Sequence, residues 1–123
     1  MAADFRAAVE AGDLDAVLDL ATDDVVFRSP VVFTPYVGKD ALRQILSAVL
    51  QVFEDFHYLR EFGSPESGDH ALMFAARVGD IEVEGCDFLR LDQAGRITEL
   101  TVMVRPMKAM LTLAEQMKAK LAG

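Results

Sequence analysis

If the segment from Ile81 to Leu91 is a strand, its alternation places Ile81, Val83, Gly85, Asp87, Leu89 and Leu91 on one face. Glu82, Glu84, Cys86, Phe88 and Arg90 fall on the other. Asp87 is then the one ionisable group on the apolar face. A carboxylate in such a place must be hydrogen-bonded, paired, protonated or turned toward a wet cavity, and desolvation pushes its pKa up toward values useful in acid/base work. Asp87 is therefore the candidate catalytic residue. The competing reading is a β-bulge at Gly85 that resets the parity, or an arginine that neutralises the charge.

Other chemistry-bearing residues are weaker candidates. His57 and His70 have no second His, Cys or carboxylate at metal-ligand spacing, so no metal site is expected. His57 is placed at a helix end, where it either complements the dipole or carries protons at a pocket mouth. Tyr36, in a proline-containing loop, and Tyr58, opening a strand, each offer a hydroxyl to a ligand carbonyl, or simply reach for solvent. Arg105 is a candidate for charge stabilisation, although Arg77 and Arg105 are also placed to pair across strands with Glu82 and Glu84. Tyr36, His57 and Arg105 thus form the candidate ligand-binding set. Ser29 precedes Pro30 without a nucleophile-elbow frame and reads as a turn former. Cys86, opposite Asp87 and without a partner motif, reads as packing.

The elements that must position these residues follow from periodicity and turn chemistry. Two short helices are expected, Ala3 to Ala11 and Leu14 to Ala21, broken at Gly12 and restarted by Asp13 as N-cap. A strand over Val25 to Ser29 ends at Pro30, and Val31 to Val37 reads as a loop. From Lys39 to Asp55, Leu42, Ile45, Leu46, Val49, Leu50, Phe53 and Phe56 recur at spacings of three and four, which predicts a core-facing helix. Strands are expected over Tyr58 to Phe62, Ala71 to Val78, Ile81 to Leu91 and Arg96 to Arg105. Turns at Gly63 to Asp69, Gly79-Asp80 and Asp92 to Gly95 would join them into an antiparallel meander. After Pro106, Met107, Met110, Leu111, Ala114, Met117 and Leu121 form a helical stripe that should dock on the rest. Helices first and strands after them indicate an α+β domain with a strongly bent antiparallel sheet wrapped around the N-terminal helices, rather than a parallel α/β sheet.

Composition bounds the function. At 123 residues, 52% hydrophobic and 26% charged, the chain is long enough and apolar enough for one globular domain, expected over 1–123. Its net charge of −8 argues against nucleic acid as a partner, since binding to phosphates draws on clustered Lys and Arg. The single cysteine gives no intrachain disulfide, no signal-like or membrane-spanning run is evident, and a cytoplasmic location is the expectation. There is no Gly-rich phosphate loop, so no cofactor is expected.

Three stretches give the chain a resemblance. They are Asp24-Val-Val-Phe-Arg-Ser-Pro30 leading through Pro35-Tyr-Val-Gly38 into the long helix, Val83-Glu-Gly-Cys-Asp-Phe-Leu-Arg-Leu-Asp92, and Gly95-Arg-Ile-Thr-Glu-Leu-Thr-Val-Met-Val-Arg-Pro106. On these the chain resembles the SnoaL-like (polyketide cyclase-like) branch of the nuclear transport factor 2 superfamily. The resemblance implies a cone-shaped domain with a deep apolar pocket between sheet and helices, and frequent homodimerisation through the outer sheet face. It also implies an acid/base role for the aspartate of the Asp-Phe-Leu-Arg stretch, here Asp87. Where many relatives read Glu-His-Trp, this chain has Glu99-Leu-Thr101, so that partner His or Trp is absent. Nor can the Tyr and Asp set of the ketosteroid isomerases, or the Asp-Arg-Asp set of the limonene epoxide hydrolases, be placed.

The expected function is therefore acid/base chemistry, as isomerase, cyclase or hydrolase, on a small hydrophobic carbonyl or epoxide compound. The alternatives are a non-catalytic binding protein for a small hydrophobic ligand and a dimeric interaction module whose outer sheet face includes Phe88.

Overall fold

The computed structural model describes residues 2–122; Met1 and Gly123 of the domain expected over 1–123 lie outside the described residues. The elements in order are α1 (Ala2–Glu10), α2 (Leu14–Asp19), β1 (Ala21–Arg28), β2 (Tyr36–Val37) and α3 (Lys39–Val52). They are followed by β3 (Glu54–Phe62), β4 (Asp69–Val78), β5 (Ile81–Leu91), β6 (Ile97–Arg105) and α4 (Met107–Ala122). Asp13 caps α2 by accepting the Ala16 amide at 3.1 Å, so the helix restarts where the sequence places it.

Four strands from β3 to β6 form the antiparallel meander, and the six-stranded sheet runs β2-β1-β6-β5-β4-β3. The sheet is mixed rather than wholly antiparallel, because β1 lies parallel to β6. The meander leaves β6 with an open edge, and the strand leaving α2 covers it. β1 starts at Ala21, four residues before the expected Val25, with Thr22 bonding to the Ile97 carbonyl. The register along β1 and β6 shifts between Ala21 and Val26. β2 borders β1 within the segment read as a loop, and Gly38, at φ 99°, turns the chain from β2 into α3.

The helices cover one face of this curved, unclosed sheet. α3 buries Leu42, Ile45, Ala48 and Val52 and packs against β1 and α4. It stops at Val52, not at the expected Asp55, and Phe53 is already extended at ψ 134°. α4 buries Ala109, Leu113 and Met117, while Met107 and Leu111 of the expected stripe are exposed. The alanine permits close approach, and the stripe advances by four residues rather than by the mixed spacing read from the methionines. One core joins Phe5, Leu18, Val25, Leu42, Phe74, Leu89 and Leu100 across all layers. Among the described residues no helix is long and apolar enough to cross a membrane.

Candidate active site

Between the helices and the inner sheet face lies a cavity of about 630 Å³. Its walls are mainly aliphatic, including Val17, Ile45, Leu46, Val49, Leu100, Val102 and Leu113. Exposed residues line its mouth: Gly12 and Asp13 between α1 and α2, Val32 in the loop after β1, and Lys118 and Leu121 on α4.

Asp87 sits on the cavity wall, only 7% exposed. Its inward direction follows from unbroken pairing. β4 and β5 remain in register from Asp69↔Arg90 to Val78↔Ile81, with no bulge at Gly85 to reset the parity. The Tyr58 hydroxyl, on β3, donates to Asp87 Oδ2 at 2.6 Å. The other carboxyl oxygen has no protein partner among the described residues, and no buried polar side-chain atom among them is left unsatisfied. That oxygen therefore opens onto the cavity. Burial pushes the Asp87 pKa up from 3.8 to about 7, and the Tyr58 hydrogen bond, which favours the carboxylate, limits the rise. Burial and the neighbouring carboxyl push the Tyr58 phenol far above its ordinary range, so Tyr58 stays neutral and remains a donor.

Aromatic rings fix Tyr58. Phe56 meets its ring edge-on at 5.0 Å and Phe74 at 6.4 Å, while Phe56 and Phe74 stack at 4.8 Å. The Arg6 guanidinium of α1 lies 6.0 Å from the Tyr58 ring centroid.

Tyr36 also lines the cavity, half-buried and 6.4 Å from Phe27. Tyr36 and Asp87 therefore share one space; His57 and Arg105 do not. Because α3 ends at Val52 and β3 begins at Glu54, strand parity turns Phe56 and Tyr58 inward and His57 outward. His57 is exposed, with Nδ1 2.8 Å from the Asp55 carbonyl oxygen. Arg105 is exposed on the outer face and pairs with Glu84, its cross-strand neighbour, at 2.8 Å. Both residues line a groove separate from the cavity, together with Arg77, Glu82 and Glu84. Arg77 bonds Asp55 and Glu54 rather than Glu82. Tyr58 lies outside the candidate ligand-binding set of Tyr36, His57 and Arg105, and helical spacing assigns Phe56 to α3 although it belongs to β3. Parity along β3 is the signal that would have found both.

A sequence model of the SnoaL-like domain matches residues 2–100. The chain belongs to the SnoaL-like family. Among solved structures, a steroid delta-isomerase from Pseudomonas aeruginosa is 42% identical, with a TM-score of 0.91 over 98% of this chain and 88% of that one. An uncharacterised protein with a cystatin-like fold from Silicibacter pomeroyi is 33% identical, with a TM-score of 0.90 over 96% and 82%. The epoxide hydrolase/cyclase-like enzyme SalBIII of salinomycin pyran-ring formation, 19% identical with a TM-score of 0.69 over 88% and 89%, shares the fold. No curated protein matches the sequence. Within this SnoaL-like chain the cone-type architecture positions one buried carboxyl group, anchored by one phenol, on the wall of an apolar cavity.

Proposed function

We propose that this SnoaL-like chain is a cofactor-independent enzyme that moves a proton on a hydrophobic carbonyl compound, with Asp87 as the proton carrier. The observation that carries this reading is the Asp87 carboxyl: buried on an apolar cavity wall, held at one oxygen by Tyr58, with a pKa of about 7. Near neutral pH such a group exists in both forms, which suits it to accept a proton and return it.

In the reaction envisaged, the Asp87 carboxylate removes a proton from the carbon beside the carbonyl. The C–H electron pair moves into the enolate, and the resulting Asp87 acid returns the proton to a carbon of the same π-system. Substrate and product are isomers, so no co-reactant is consumed. Tyr58 keeps the carboxyl oriented. Tyr36 is the candidate donor to the enolate oxygen, since it is a hydroxyl-bearing side chain lining the same cavity. Likeness to a steroid delta-isomerase at 42% identity favours isomerisation over the hydrolase and cyclase readings. His57 and Arg105, facing away from the cavity, take no part in this scheme.

The same reading includes a homodimer through the outer sheet face. There Met73, Cys86 and Met103 lie side by side in register, with Phe88 in the next outward row and the ion pairs of Arg90 and Arg105 at either side.

The test is deuterium incorporation from heavy water into a panel of hydrophobic ketones, alongside migration of the double bond in β,γ-unsaturated ketones. Wild type should catalyse both. Asp87→Asn should bind the same ketones and lose about a hundredfold or more of the rate, the usual scale for removing a general base. Equal rates in the two proteins would refute the role. Binding without any exchange by wild type would make the cavity a binding site only.

A further inference from the structure

Resting on the proton-transfer reading of the cavity, we propose that Phe74 is a specificity-determining residue: it limits the group a substrate carries on the far side of its carbonyl from the cavity mouth. On the inner face of β5, Gly85 precedes Asp87 by one inward position, and Phe74 of β4 lies directly across from Gly85. A Cβ at position 85 would sit 2.7 Å from Phe74 Cε2, and closer still to its Cζ. The Phe74 ring therefore occupies the space that any other residue at 85 would fill. It lies against bare backbone on one side and stacks on Phe56 at 4.8 Å on the other, with Phe53 edge-on at 5.7 Å.

This ring ends the cavity. Asp87 and Phe74 both line it, whereas the next inward residues toward the Gly79 turn, Ala76 and Val83, are buried outside it. The exposed lining residues that form the mouth belong to the α1–α2 turn, the loop after β1 and α4, not to β4 or β5. A ketone with its α-carbon at Asp87 thus has one arm running along the aliphatic walls toward solvent and the other stopped by Phe74. The wall is fixed, because the ring is held on both faces and is 1% exposed. Substrates should therefore be long on one side of the carbonyl and short on the other.

Positional isomers of one alkanone isolate this effect, since total apolar area stays constant while the short arm grows. Isothermal titration would measure the affinity of wild type, Phe74→Leu and Phe74→Ala for decan-2-one, decan-3-one and decan-4-one. Pressing one more methylene against a packed wall should weaken wild-type binding by about tenfold per position. Phe74→Ala should level or reverse that order, and Phe74→Leu, which is the milder change should the alanine variant fail to fold, should shift it part of the way. The same order in wild type and a folded variant would overturn the proposal, as would failure of every isomer to bind wild type. If the order shifts as expected but no protein exchanges α-protons, the wall stands and the proton-transfer reading falls.

Discussion

Replacing Asp87 by Asn should make the protein more stable at alkaline pH and slightly less stable at acid pH. The folded state holds the Asp87 proton with a pKa of about 7, against an ordinary value of 3.8. Below the ordinary value both folded and unfolded chains are protonated there, and Asp87 contributes no pH dependence. Between the two values the folded state binds the proton and the unfolded chain releases it, so stability falls as pH rises. Above about 7 both are ionised and the loss is complete. At ~1.4 kcal/mol per pH unit, the gap of roughly three units amounts to a loss of about 4 kcal/mol. Water entering the cavity screens the charge and makes this an upper limit. Asn has the shape of the neutral carboxyl, and its carbonyl still accepts from Tyr58, but its amide protons need partners in an apolar space, at a cost of ~1 kcal/mol. Only the roughly two units between about pH 5 and about 7 contribute over that range, so urea unfolding of both proteins at about pH 5 and about pH 8 gives a difference that grows by up to ~2.5 kcal/mol in favour of the variant. The other carboxylates titrate alike in both proteins and cancel. A difference independent of pH across that range would refute the burial argument, because it would mean that Asp87 titrates equally in the folded and unfolded states.

Tyr58→Phe removes the hydrogen bond that favours the carboxylate, so the Asp87 pKa should rise above about 7; NMR titration of the side-chain carboxyl carbon would show it, and an unchanged or lower midpoint would refute it. Gly85→Ala brings a Cβ against Phe74 and within 2.7 Å of the Met103 carbonyl oxygen, and should cost about 1–3 kcal/mol or more in denaturant unfolding. If the proposed homodimer forms through the outer sheet face, Phe88→Glu combined with Met103→Glu should convert it to a monomer in light scattering, with the fold intact by circular dichroism; a dimer that survives both changes, or a wild-type monomer, would refute that interface.

Asp87 was legible in the sequence because its direction depends only on local alternation, and no bulge interrupts β5. The turns at Gly79 and Gly95 and the N-cap at Asp13 were legible for the same reason: their chemistry is local. The end of α3 was not. No Gly or Pro follows Val52, and Phe53 and Phe56 continue the helical spacing past the true boundary. That error moved His57 to the wrong face and hid the inward direction of Tyr58, which meets Asp87 across 29 residues of sequence. The parallel pairing of β1 with β6 joins segments more than seventy residues apart, such as Ala21 and Ile97, and the polar run Thr22-Asp23-Asp24 disguises the start of β1. Arg105 was readable both as a ligand contact and as a cross-strand partner of Glu84, and only the register decides between them.

The pH dependence of α-proton exchange, followed as kcat/KM for one hydrophobic ketone in the wild-type protein, tests the central claim most directly. Since the Asp87 carboxylate is the proposed base, the rate should rise with pH, bend at about 7 and then level off. A profile that is flat through neutrality, or that bends near the ordinary carboxylate value, would contradict the assignment of Asp87 as the proton carrier.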